Sequence, residues 1–303
     1  MKSKKRDFIL VMSAYVAWGL LPMFWALFSG IAPRVVLFHR VLWSMILLAA
    51  LFFVRGDLHA VFRRLLRLSV IRSLSFSSLF LGLNWYLYVW ALGEGKFVSA
   101  GLGYFICPLI TIGFGALFFQ ESLTRWQKIA LSVVLVGVLA PIFYFHEIPW
   151  FALGLAFSWA SYTAVKKRSD IPSLESVFGE TLVILPLLSL QLLQTGDFGL
   201  HLNSSFSNWL LFVMAGAFTV MPQLALVTGV KGVPLKYVGI MQYITPTLMI
   251  AVSLIMGVKS PTLSEMLTIA GVWSGILLFF FGRAIEKFIH SQIPSRQVAS
   301  SKL

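Results

Sequence analysis

Residues 73–119 hold two apolar runs, 73–92 and 97–119, separated only by Gly93-Glu94-Gly95-Lys96. At a helical rise of about 1.5 Å per residue, each run is long enough to cross a hydrocarbon core about 30 Å thick. So short a link returns the second run beside the first, which predicts two antiparallel membrane helices. The second run contains Gly101, Gly103, Pro108, Gly113 and Gly115. A water-soluble helix tolerates such residues poorly. A membrane helix keeps them where neighbours re-satisfy the freed backbone groups, and irregular backbone at that depth lines a cavity.

The pattern returns later in the chain. Residues 237–246 (YVGIMQYITP) overlay residues 99–108 (SAGLGYFICP) at a constant shift of 138 residues. Gly101, Pro108, Gly239 and Pro246 are accordingly expected to break their helices. Irregular segments in matching positions of two repeats are the sequence sign of a transporter's binding site.

The rest of the chain fits a membrane protein: 58% of its residues are hydrophobic and only 12% charged, outside the range of soluble domains. Apolar runs bounded by charge or turn residues predict ten spans, near 8–28, 35–54, 73–92, 97–119, 127–145, 148–165, 177–193, 208–230, 236–257 and 262–282. The formal charge of +13 would suggest nucleic acid in a soluble protein. Here, of the 24 Lys and Arg, all but Arg34, Arg40, Lys96 and Lys259 fall in the termini and alternate loops that share one face. That asymmetry puts both termini in the cytoplasm and removes nucleic acid as a partner. The apolar run after Met1-Lys-Ser-Lys-Lys-Arg6 is too long for a signal peptide and is read as the first helix. Cys107 is the one cysteine, which excludes an internal disulfide and fits a packing residue beside Pro108.

Polar and aromatic residues inside the spans nominate a substrate cavity: Trp18, Asn84, Trp85, Tyr88, Tyr104, Trp159, Tyr162, Gln223, Gln242 and Tyr243. Trp18 serves either as pocket wall or as packing. Asn84 and Tyr88 share a helical stripe, and a buried amide must find a partner in backbone or ligand. His39, Arg40 and Glu180 are candidate charges at the mouths. Arg40 either snorkels to headgroups or acts as a gate; Glu180, at a shift of 140 from Arg40, is a proton site, a partner for a substrate cation or half of a structural ion pair. Glu121 is expected to serve as a cap or as a partner for Arg125 or Lys128. Phe62, Leu65, Leu66 and Leu68 among basic residues predict an amphipathic helix on the inner leaflet. Gly271 and Gly275 form a small-xxx-small face, suited to intramolecular packing or to dimerisation. Asn203-Ser-Ser is a formal glycosylation sequon, relevant only in a eukaryotic secretory pathway.

No Walker loop, HExxH, GxSxG or Cys/His ligand cluster is present, so no metal, cofactor or ATP chemistry is expected. A membrane-embedded enzyme or assembly factor using Glu180 is the alternative, and it would need a second catalytic group within reach. A channel would need polar stripes through a whole ring of helices.

The segments HRVLWS (39–44), NWYLYVWA (84–91), SAGLGYFICPL (99–109), GLAFSWASYTAVKKR (154–168), Glu180-Thr181-Leu182 with Pro186, and GIMQYITPTLM (239–249) together resemble the RarD branch of the EamA family, within the drug/metabolite transporter superfamily. The resemblance implies an all-α, multi-pass protein of the bacterial inner membrane, with ten transmembrane helices in two inverted five-helix repeats (1–147 and 148–283) and a cytoplasmic tail (284–303). It implies a permease that exports small metabolites such as amino acids, and the branch is linked by name to chloramphenicol sensitivity. Two positions depart from the branch pattern, where Val35 and Lys259 stand in place of glutamates; Glu121 keeps it. The expected partners are the lipid bilayer, a small neutral or zwitterionic solute and a coupling proton, with the chain a monomer or homodimer.

Overall fold

The computed structural model describes residues 2–94, 97–145, 150–196, 206–257 and 262–292. Lys96, His146, His201, the Asn203 sequon, Lys259 and the tail beyond Gln292 lie outside them. Among the described residues all regular structure is helical. The chain runs through α1 (Lys2–Leu20), α2 (Pro22–Trp25), a 3-10 turn (Ala26–Phe28), α3 (Pro33–Val54), α4 (Leu58–Leu65), α5 (Leu68–Gly93) and α6 (Phe97–Phe118). It continues through α7 (Arg125–Phe145), α8 (Trp150–Arg168), α9 (Ser173–Thr195), α10 (Phe206–Gly229), α11 (Leu235–Gln242), α12 (Ile244–Ile255) and α13 (Leu263–Gln292).

Six stretches among the described residues are long and apolar enough to cross a membrane: Lys4–Phe28, Pro33–Val54, Gly101–Phe118, Ser173–Gln194, Trp209–Gly229 and Leu235–Ile255. A seventh appears if α4 and α5, which meet at 84°, count as one span. The amphipathic helix expected between Arg55 and Arg72 is shorter, α4, whose Phe62 stays 40% exposed while Val61 and Leu65 are buried; Leu66 caps it and Leu68 opens α5. The span expected at 148–165 is α8, which dilutes its apolarity with Ser158, Ser161, Thr163 and a closing Lys166-Lys167-Arg168 turn.

The packing divides the chain into two compact units, Met1–Glu121 with Ile148–Ser260, and Ser122–Glu147 with Pro261–Leu303. In the first, α1 packs against α10 and α12 while α8 packs against α5 and α6; α3 packs against α10 and α9, and α9 against α5. Its core joins α1, α3, α5, α8, α9, α10 and α11 through such residues as Val11, Val41, Leu81, Tyr162, Phe178 and Leu226. In the second unit, α7 and α13 lie against each other. A Cβ added at Gly271 would meet Gly137 Cα at 3.1 Å, and one at Gly275 would meet the Ala130 carbonyl oxygen at 2.8 Å. The Gly271/Gly275 face is therefore used for close intramolecular helix approach.

The expected helix breaks need correction. α6 runs uninterrupted through Gly101 and Pro108, and the break in the second copy falls at Tyr243, ahead of Pro246. Pro246 stands in the first turn of α12, where its missing N–H has no intrahelical partner to lose. Near Pro108, where a proline removes one rung of the hydrogen-bond ladder, the Tyr243 hydroxyl donates to the Phe105 carbonyl at 3.2 Å. Gly239 serves contact: a Cβ there would lie 2.8 Å from the Pro108 carbonyl oxygen and 2.5 Å from Ile112 Cγ1. Of the four residues expected to break helices, Gly239 and Pro108 instead mark a close crossing of α6 and α11, whereas a Cβ at Gly101 would meet nothing within 4 Å.

Candidate functional site

A cavity of about 270 Å³ opens within the first unit, lined by side chains from α1, α2, α3, α5, α6, α8, α10, α11 and α12. Its size is near the lower end of small-molecule sites, about 300–1,000 Å³. One wall descends from α1 into α2, where Tyr15, Trp18, Pro22 and Trp25 recur at helical spacing and so share a face. Trp18 meets Trp159 of α8 edge to face at 5.1 Å and Tyr15 at 5.5 Å. Tyr88 and Tyr104 form a second aromatic pair at 6.1 Å. Phe218, Thr219 and Gln223 supply the α10 wall.

Eight of the ten nominated cavity residues line this space: Trp18, Asn84, Trp85, Tyr88, Tyr104, Trp159, Gln223 and Gln242. Tyr162 and Tyr243 do not; both are fully buried behind it. Tyr243 holds α12 to α6 through the Phe105 carbonyl, and Tyr162 belongs to a separate polar cluster described below. The lining also includes Tyr15, Trp25, Cys107, Thr219 and Thr245, which sequence reasoning missed. Tyr15 and Trp25 were legible as the i−3 and i+7 neighbours of Trp18, and Thr219 as the i−4 neighbour of Gln223.

The amides of the lining are engaged by the protein. Asn84 Nδ2 donates to the Leu155 carbonyl at 3.0 Å and to Ser158 Oγ at 3.1 Å. Gln242 Nε2 donates to Tyr15 Oη at 3.2 Å, and its oxygen accepts from Thr111 at 3.1 Å. Gln223 Nε2 donates to the Tyr162 hydroxyl. Each buried amide thus finds the partner that apolar surroundings demand.

The three charge candidates separate. His39 is buried on the other face of α3, stacked on Phe212 at 4.1 Å, and is not among the cavity residues. Arg40, expected at a mouth, turns into the cavity, with its guanidinium 5.2 Å from the Trp25 ring and 4.8 Å from the Trp85 ring. Cation–π contact of this kind compensates part of the desolvation. Glu180 is sealed in the protein and ion-paired with Lys166, both side chains being 1% exposed. From the sequence Lys166 reads only as a basic residue flanking α8. Its ammonium also donates to Ser77 Oγ at 3.0 Å and Ser176 Oγ at 2.7 Å, while Tyr162 donates to Glu180 at 3.1 Å. A chain of hydrogen bonds therefore runs from the cavity at Gln223 through Tyr162 to Glu180 and Lys166.

Glu121 takes the capping role of the two expected for it, at a helix distant in sequence. Its carboxylate accepts from the backbone N–H groups of Leu235 at 2.6 Å and Lys236 at 2.9 Å, capping α11. An anion there is stabilised by the helix N-terminus. Nearby, Lys231 donates to the Ile171 carbonyl at 2.6 Å, and burial pushes its ammonium below the ordinary lysine pKa.

The model of the EamA-like transporter family matches residues 6–142 and again 148–281. The chain is 35% identical to the uncharacterized transporter YojE of Bacillus subtilis (strain 168), over 92% of this chain and 95% of that protein. It is 32% identical to protein RarD of Salmonella typhi, over 92% and 95% respectively. A solved crystal structure with 19% identity superposes with a TM-score of 0.69 across 91% of this chain and 97% of its own, a likeness that bears on the fold alone.

Proposed function

This chain belongs to the EamA-like transporter family and is a multi-pass bacterial membrane protein; from that premise we propose that it is a secondary transporter of the inner membrane that exports a small amphiphilic metabolite by alternating access. Ten helices in two inverted five-helix repeats, 1–147 and 148–283, with both termini cytoplasmic, complete the reading. It works as a monomer or homodimer, with a proton as the coupling ion. The cavity is the observation that carries it. Its wall is drawn from both sequence repeats, Trp18, Asn84 and Tyr104 from one and Trp159, Gln223 and Gln242 from the other. A site shared by two repeats is where rocking of one against the other exchanges access. The reciprocal packing of α1 with α10 and α12, and of α8 with α5 and α6, supports the same view.

The alternative, chemistry at Glu180, is disfavoured by space. The void beside that carboxylate is about 10 Å³, room for about one water.

The test is flux in proteoliposomes loaded with labelled amino acids or chloramphenicol, with and without an imposed proton gradient. Efflux that depends on the gradient and drops at least about tenfold in Trp18→Ala and Trp159→Ala is expected. Flux of an identified solute that both substitutions leave untouched would remove the cavity from the pathway.

A further inference from the structure

Resting on the carrier reading above, we propose that the cavity selects an organic anion, a carboxylate carried on an apolar or aromatic body, with Arg40 as the residue that receives the carboxylate.

The argument starts from charge. Arg40 is the one formally charged side chain among the residues lining the cavity, and no Asp or Glu stands with it. Its Nε is buried without a hydrogen-bond partner among the described residues. Two indole faces flank the guanidinium, and they attract a cation without accepting its N–H bonds in the plane of the fork. Glu180, the intramembrane carboxylate, is already matched by Lys166. A permanent cation in a low-dielectric cavity with unused donors calls for an anion, and a planar carboxylate fits a guanidinium through paired hydrogen bonds.

The other polar groups sharpen this. Asn84 spends both amide N–H groups on protein acceptors, and Gln223 and Gln242 one each, so the charged Arg40 fork, with its Nε unused, is the strongest donor open to a ligand. An ammonium on the ligand would find no carboxylate among the lining residues and would face the guanidinium. Cations are therefore excluded, and a zwitterion binds less well than the same molecule without its ammonium. The walls of Trp18, Trp85, Trp159, Tyr88 and Phe218 suit the apolar body. A bare inorganic anion would leave them unfilled.

The experiment uses the full chain in phosphatidylcholine nanodiscs, free of anionic lipid, and four ligands of one skeleton: 3-phenylpropionate, phenylalanine, 3-phenylpropionamide and 3-phenylpropylammonium. Quenching of tryptophan fluorescence reads binding, since Trp25 and Trp85 flank the guanidinium. Phenylpropionate is expected to bind at least about tenfold more tightly than the amide, phenylalanine to fall between, and the ammonium to bind weakest. Chloride is expected to compete only at far higher concentration. Arg40→Gln should abolish the difference between acid and amide while thermal melting stays near wild type; Arg40→Lys should retain part of it. Equal binding of acid and amide, no binding of any of the four, a preference that survives Arg40→Gln, or chloride competing as well as phenylpropionate would each overturn the proposal. Failure of the carrier reading is separable. Arg40-dependent acid binding without flux in liposomes would keep the anion site and remove the transport role, whereas flux with no charge preference would do the reverse.

Discussion

Arg40 and Glu180 stand 140 residues apart, each the eighth residue of its helix, α3 and α9, yet the protein treats their charges in opposite ways. The Arg40 guanidinium lies on a cavity between two indoles and keeps unused donors. The Glu180 carboxylate is closed over by Lys166 and Tyr162, with almost no void beside it. One charge is left for something that arrives, and the other is consumed within the fold. In a repeat protein, equal position therefore does not mean equal use; what matters is which partner the neighbouring helix brings.

The most severe way to break this contrast is to remove one half of the buried pair. Lys166→Ala or Glu180→Ala leaves an uncompensated charge in the core, and a loss of about 3–5 kcal/mol is expected, read as a drop in detergent melting temperature and folded yield. The double change to Met and Leu should recover most of it, since an apolar pair of similar volume avoids the desolvation cost. If both singles melted like wild type, the ion pair would not be a structural element.

A smaller effect tests the support beneath Arg40. Gly216 of α10 lets α3 approach so closely that a Cβ would lie 2.7 Å from the Trp43 carbonyl carbon and 2.8 Å from the Ser44 nitrogen. Backbone cannot give way as a side-chain tip can, so Gly216→Ala should cost about 1–3 kcal/mol. It should also weaken ligand binding by moving α3. Chemical unfolding and the fluorescence titration read the two consequences separately.

Tyr162→Phe removes the hydroxyl that joins Gln223 to Glu180. A cost of about 1–3 kcal/mol is expected, because a buried donor and acceptor lose their partner. If the hydrogen-bond chain carries the coupling proton, the gradient dependence of flux should fall while binding of phenylpropionate holds.

Smallest of all is the effect of Arg40→Gln on stability, expected within about 1 kcal/mol because no ion pair is broken. Its effect on ligand choice is the large one. A melting loss comparable to that of Glu180→Ala would erase the distinction between the two sites.

Much of this was legible in the chain before any coordinates. Runs of apolar residues at membrane length predicted helices, and polar or aromatic residues inside them pointed to the cavity through Trp18, Asn84, Tyr88 and Gln242. Tyr162 and Tyr243 have the same composition signature but sit behind the wall, since a helix presents three or four faces and its sequence does not say which one meets water. In the sequence Lys166 reads as a flanking charge and Glu121 as a cap or a partner for a nearby cation. Their true partners, Glu180 and the α11 N-terminus, lie on other helices.

What the sequence determined by itself is local: in lipid each span must satisfy its own backbone, so length and apolarity suffice to make a helix. What only the tertiary structure decided is which faces meet. Helix packing there turns on small residues and shape, as where Gly239 admits Pro108 and Ile112. A charge is stabilised or left open by atoms a few ångströms away, because its interaction energy falls with distance in space and takes no account of separation along the chain.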